Sequence, residues 1–167
     1  MDLCRNKGGT MKNRMTRYPS ACFLLAFFFI SCTGKPDSGE DPEVTSRGSI
    51  EVTAELQEIP GEFIDRSDYD YAFVMKYKVL EVHRGQLADS EYIYVGHYNP
   101  QKPRDAVSDA RVDDVGGRLK KFNSGDIHRM ALEMPIDDHF MGGIVNRYFD
   151  EYSGPVYWAV WTNPVSR

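Results

Sequence analysis

Hydrophobic and polar positions alternate with period two from Ile50 onward, and that period predicts strands. Ile50, Val52, Ala54 and Leu56 alternate with Glu51, Thr53 and Glu55, as in a strand with one buried face. Pro60-Gly61 marks a turn. In the next segment, Tyr69 to Arg84, the positions Tyr71, Phe73, Met75, Tyr77 and Val79 share one face. The opposite face starts apolar at Ala72 and Val74, is polar at Lys76 and Lys78, and is apolar again at Leu80 and Val82, while the first face turns polar at Glu81 and His83. The buried side is therefore expected to switch near Val79, as in a bulged strand shared between two sheets of a small barrel.

Glu91 to Tyr98 predicts a third strand, with Ile93 and Val95 on one side and Tyr92 and Tyr94 on the other. Asn99 to Asp109 is proline-rich and polar, hence a loop. Ala110 to Phe122 places Val112, Val115, Leu119 and Phe122 at near-helical spacing, although Gly116-Gly117 weakens such a helix by about 2 kcal/mol relative to alanine. Asn123-Ser124-Gly125 is a turn before a fourth strand, Asp126 to Met134. Gly142-Gly143 leads into a mixed segment, Ile144 to Tyr152, read as one or two helical turns. Pro155 to Thr162 is apolar on both faces and ends the series as the last strand. Five strands, a short helix between the third and fourth, and a long bent strand early in the chain resemble the five-stranded Greek-key barrels of the OB or netrin-like kind. The stretch Tyr77 to Gly85, a strand running into a basic-Gly turn, is similar to netrin-like modules. Those modules usually carry disulfides, which this domain lacks. A β-sandwich is the competing architecture.

The first part of the chain has another pattern. Lys12, Arg14 and Arg17 precede an apolar run, Ala21 to Ile30, which ends at Ser31-Cys32. Positive charge, apolar core and small residue, in that order, make a secretory leader. The run is shorter than the roughly 18 residues a membrane span takes. Phe29-Ile30-Ser31-Cys32 resembles the lipobox of bacterial lipoprotein precursors, with Phe29 where that family usually has leucine. The resemblance implies removal of residues 1–31 and attachment of a lipid to the Cys32 thiol; a plain signal peptide is the competing reading. Met1, Met11 and Met15 are all in-frame starts, and Met11 gives the most ordinary leader. Between Thr33 and Arg47 only Val44 is a sizeable apolar residue, so residues 32–47 read as a tether reaching roughly 20 Å as a coil. Residues 48–167 then form a single β-rich domain. Thr33 stands where an Asp tends to retain enteric lipoproteins in the inner membrane, which implies an outer-membrane location in a host that has one.

Charge and cysteine usage narrow the function classes. The leader holds five of the 20 basic and one of the 25 acidic residues, leaving 15 against 24 and a formal charge of −9 for residues 32–167. Such a body repels nucleic acid and anionic lipid, so the lipid anchor alone would make the membrane contact. The three cysteines, Cys4, Cys22 and Cys32, all precede the domain, which excludes an internal disulfide and thiol catalysis there.

Three constellations offer chemistry. His97-Tyr98-Asn99-Pro100 stands where a strand meets a polar loop, a place where small barrels present ligand-binding groups; the competing reading makes His97 a strand residue and Asn99-Pro100 a plain turn. Asp126 and His128, with Glu133, Asp137 and His139, supply the imidazole and carboxylate groups that suit zinc. His128 equally shares a face with Met130, Leu132 and Met134, as a core-edge histidine would. Tyr148, Phe149, Tyr152, Tyr157, Trp158 and Trp161 form an aromatic run in which Tyr148, Tyr152 and Trp161 suit sugar stacking, against a core role for the tryptophans. There is no Gly-x-Ser-x-Gly elbow, phosphate loop or dinucleotide fingerprint, so no catalytic residue and no cofactor are assigned. These features point to a lipid-anchored, non-catalytic module that binds an envelope protein or polysaccharide. The alternatives are a metal-dependent hydrolase using His128 and His139, and a carrier of a small apolar ligand.

Overall fold

The computed structural model describes residues 46–64, 69–88 and 91–166; the leader, Cys32 and the tether up to residue 45 lie outside the described residues. Seven strands are described: β1 (Ile50–Glu58), β2 (Tyr71–Arg84), β3 (Tyr92–Tyr98), β4 (Gly116–Gly117), β5 (Ile127–Glu133), β6 (Ile144–Asn146) and β7 (Val156–Pro164), with one four-residue helix, α1 (Ile136–His139). Five of them close on themselves in the order β1-β2-β3-β7-β5-β1. All barrel neighbours are antiparallel except β3 and β7, which run parallel. The protein is thus a closed, OB-fold-like barrel. The two short strands are additions: β4 pairs with β7, and β6 with the start of β2.

Period-two patterning sends alternate residues to two separate cores. Ile50, Val52, Ala54 and Leu56 of β1 meet Tyr71, Phe73, Met75, Tyr77, Met130, Leu132 and Tyr157 inside the barrel. Outside it, Ala72, Val74, Tyr98, Ala131, Val156, Trp158 and Val160 are covered by Val107, Val112, Val115, Ile136 and Phe140. Residues 71–75 are therefore buried without interruption, because this half of β2 has a core on each face. Gly96 lets α1 approach β3, since a Cβ there would collide with Ile136.

Several expectations are corrected. β2 does bulge beside Val79: Thr53 pairs with Glu81 and Ala54 with Val79, leaving Leu80 as the extra residue. Leu80 and Val82 nevertheless stay exposed, at 48% and 45%, because the outer layer does not extend over this end of the strand. Residues 110–122 form no helix. Asp109 accepts the backbone N–H groups of Arg111 and Val112 at 2.9 and 3.1 Å, which holds the start of the segment as a turn. Gly116 and Gly117 then pair with Trp161 and Thr162 of β7. A Cβ on Gly116 would lie 2.6 Å from the Trp161 ring, so the glycines permit a close approach. A single 3₁₀ turn, Arg104–Ala106, is described between β3 and β4. Residues 144–152 hold β6 and a turn where helical turns were expected. Glu51, on the polar face of β1, is buried and bonded to the Arg129 guanidinium at 2.6 and 2.7 Å.

Candidate functional site

At one end of the barrel β1, β3 and β7 finish and β2 and β5 begin. There the inner faces of three strands and the loop after β3 bring four polar side chains together. Inward positions on β2, β3 and β5 supply Tyr77, His97 and His128, all fully buried. The Tyr77 hydroxyl lies 3.0 Å from His97 Nε2 and 3.3 Å from His128 Nδ1, bridging the two imidazoles. Arg104 enters from the 3₁₀ turn. Its Nη2 donates to the carbonyls of Asn99 and Lys102 at 2.7 and 2.9 Å, and no carboxylate pairs with it among the described residues. Asn99, at φ 38°, opens the preceding turn, its carbonyl accepting the Lys102 N–H at 3.0 Å while its Oδ1 accepts the Tyr71 N–H at 3.1 Å. Phe122 closes the end: its ring lies 4.6 Å from the His97 ring and 5.7 Å from the His128 ring, with the Arg104 guanidinium 5.3 Å away.

Burial sets the protonation states. It pushes the Tyr77 phenol well above its usual range, against the pull of Arg104. It lowers His97 well below 6.5, helped by the charges of Arg104 and His128. It lowers His128 to about 4, against the opposing effect of Asp126, and Arg104 to about 10, against that of Tyr77. At neutral pH the two histidines and the tyrosine are uncharged and Arg104 is a cation. His97 Nδ1, His128 Nε2 and Arg104 Nε have no hydrogen-bond partner among the described residues. His128 also borders a surface cavity of about 440 Å³ shared with Leu119, Ser124, Asp126, Pro164 and Val165.

A second concave region lies on the outer face of β2 and β3, where the segment between β6 and β7 folds over it. Tyr152 stacks on Tyr94 with ring centroids 3.6 Å apart, and Phe149 meets Tyr94 edge-on at 4.9 Å. Lys76, Asp150 and Glu151 complete a cleft of about 420 Å³, and Arg147 and Ser153 line the hollow adjoining it. The Tyr152 hydroxyl donates to the Pro155 carbonyl at 2.8 Å, pinning the segment.

The remaining candidates are dispersed. Tyr98 belongs to the outer core and donates to Asp109 at 2.8 Å. Trp161 is half-buried beneath the Arg47 guanidinium, 4.3 Å from its ring. Tyr148 is exposed and leans on Phe73 away from the cleft. Glu133 accepts from Ser49, Asp137 pairs with Arg147, and His139 is exposed at the end of α1. Among the described residues no three His, Cys, Asp or Glu side chains gather as a metal site. Large side chains fill the barrel interior where a carried apolar ligand would sit. Tyr77, Arg104 and Phe122 carry no motif that marks them as partners of the histidines. Comparison with protein-family models, curated proteins and solved structures finds no match in any of the three.

Proposed function

We propose that the chain is a bacterial envelope lipoprotein, anchored through Cys32 in the outer membrane, whose barrel binds polysaccharide in the Tyr94–Tyr152 cleft. The observation that carries the ligand reading is the aromatic stack on the face of the second and third strands. Barrels of this topology commonly bind oligonucleotides or oligosaccharides on that face, which is an argument from fold analogy. Charge chooses between the two ligands. At the cleft Lys76 stands with Asp150 and Glu151, and Arg147 beside it is already paired with Asp137, and the body beyond the leader is acidic, so a phosphate backbone gains little there. Aromatic rings favour the C–H face of a sugar. No residue acts as a catalyst in this reading.

Two measurements test it. Cys32→Ser should abolish metabolic lipid labelling and release the chain from membranes; persistent labelling rules out the anchor. The purified lipidated chain, applied in detergent to a glycan array, should bind neutral polysaccharide. Tyr152→Ala should lower that affinity by at least about tenfold, which is roughly 1.4 kcal/mol. An array signal unchanged by Tyr152→Ala removes the cleft from the mechanism, and binding only to an envelope protein replaces the glycan.

A further inference from the structure

Tyr94, Phe149 and Tyr152 wall two spaces, the cleft itself and a smaller hollow of about 90 Å³ beside it. Val74 and Val156, only 1% and 5% exposed, supply the rest of the hollow's apolar lining. Gly154 adds no side chain to fill it, and a Cβ there would meet the Tyr152 hydroxyl at 2.5 Å. Two polar side chains complete the wall, Ser153 and Arg147. Ser153 is exposed, so its hydroxyl can exchange water for a ligand. Arg147 spends Nη2 on the Asp137 carboxylate at 2.8 and 3.2 Å, which balances its charge and leaves other N–H groups to donate.

Size, polarity and charge each restrict the occupant. One water takes about 30 Å³ of the liquid, so the hollow holds a substituent of a few heavy atoms and no sugar ring. Two valines and three rings reward an apolar group, which a hydrated hydroxyl or hydroxymethyl is not. Donors at Ser153 and Arg147 call for an acceptor on the same substituent; a bare methyl leaves them unused. An added carboxylate or phosphate gains little from an exposed guanidinium already paired with Asp137. An acetamido group meets all three conditions. Its methyl suits the valines, its planar amide lies flat against a ring, and its carbonyl oxygen accepts a hydrogen bond.

We propose that the cleft selects N-acetylated amino sugars: the ring stacks in the cleft and its acetamido group enters the hollow between Val74 and Val156. The Ser153 hydroxyl donates to the acetamido carbonyl. The inference rests on the glycan reading of this cleft and names its substrate class.

Three trisaccharides test it, because they share one β-1,4-linked backbone and differ at C2. Chitotriose carries acetamido there, cellotriose hydroxyl, and the glucosamine trimer ammonium. Each is titrated calorimetrically into the purified lipidated full chain, in a detergent without a sugar headgroup. Chitotriose should bind at least about tenfold more tightly than cellotriose, the discrimination an apolar pocket gives for a small group. Ser153→Leu, at an exposed position on the hollow's wall, should lower chitotriose affinity to that of cellotriose. Unchanged chitotriose affinity in that variant, with its unfolding midpoint retained, overturns the hollow as the acetamido site. Equal binding of chitotriose and cellotriose, both lost in Tyr152→Ala, overturns the acetamido inference and keeps the glycan cleft. Tightest binding of the glucosamine trimer gives the selection to Asp150 and Glu151 and overturns it too. No binding of any trimer, beside an array that binds other neutral polysaccharides, rejects the inference alone; a blank array as well rejects it together with the glycan reading.

Discussion

The outer cleft and the sealed barrel end are both polar-aromatic, yet they are built in opposite ways. Phe149 to Tyr152 supply most of the cleft from consecutive residues, and their rings remain part-exposed or reach solvent. The sealed end joins side chains from three strands and a turn, with Tyr77 and His128 51 residues apart. Charges at the cleft are paired, as Arg147 is with Asp137, or exposed, as Asp150 and Glu151 are. At the sealed end one guanidinium is 3% exposed and has no carboxylate partner among the described residues. A half-exposed aromatic cleft loses what the removed ring contributed and little more. A buried hydrogen-bonded chain loses more, because each deletion strands the groups left behind.

The largest expected difference comes from opening the sealed end. Phe122→Ala removes the ring shared by His97, His128, Arg104 and Phe63. It should destabilise the barrel by about 3–5 kcal/mol in denaturant unfolding. Tyr148→Ala, at a ring that is 53% exposed, should stay within about 1 kcal/mol. Equal losses would abolish the distinction between a packed seal and a surface ring.

Acid separates the regions next. His128 has its folded pKa depressed from 6.5 to about 4 by burial. Above pH 6.5 it is neutral in both folded and unfolded states, so stability is flat. Between 6.5 and about 4 the unfolded chain takes up the proton and the folded chain does not, and stability falls as pH falls. That interval corresponds to a loss of roughly 3 kcal/mol at about 1.4 kcal/mol per pH unit, and His97, lowered by burial and by Arg104, acts in the same direction. Unfolding midpoints measured from pH 7.5 to 4 should show the decline, and His128→Gln should flatten part of it. If the wild-type midpoint holds steady over this range, the histidines are not buried as neutral groups.

The same contrast explains what could be read in the chain. Strands were legible because inward and outward positions of β1, β3 and β5 alternate in the sequence itself. The aromatic segment was legible because its rings are neighbours, although its partners Tyr94 and Lys76 come from strands and carry no local signal. The convergence of His97 and His128 was hidden. It depends on β2 lying between β1 and β3 and on β1 pairing with β5, and each histidine alone resembles a core-edge residue. The burial of Glu51, on the polar face of β1, has no local signal because its partner Arg129 lies 78 residues away. The expected helix over 110–122 failed for a local reason with a distant cause: Gly116 and Gly117 lie against β7, whose approach no short-range pattern records. Tyr98 stands at a strand end beside a polar loop, yet a second core outside the barrel buries it.

The smallest effect asks what the cleft uses. Tyr152 contributes a stacked ring and a hydroxyl that closes its own segment onto Pro155. Tyr152→Phe keeps the ring and removes one partly exposed hydrogen bond, so stability should fall by about 1 kcal/mol or less. Binding of neutral polysaccharide should stay within about twofold if stacking carries recognition, since a twofold change is only about 0.4 kcal/mol. Tyr152→Ala removes both contributions and should lose binding with little further loss of stability. The pair therefore separates ring from hydroxyl. If Phe and Ala weaken binding equally, the hydroxyl's hold on residues 152–155 shapes the cleft, and its recognition depends, like the sealed end, on a fixed hydrogen bond.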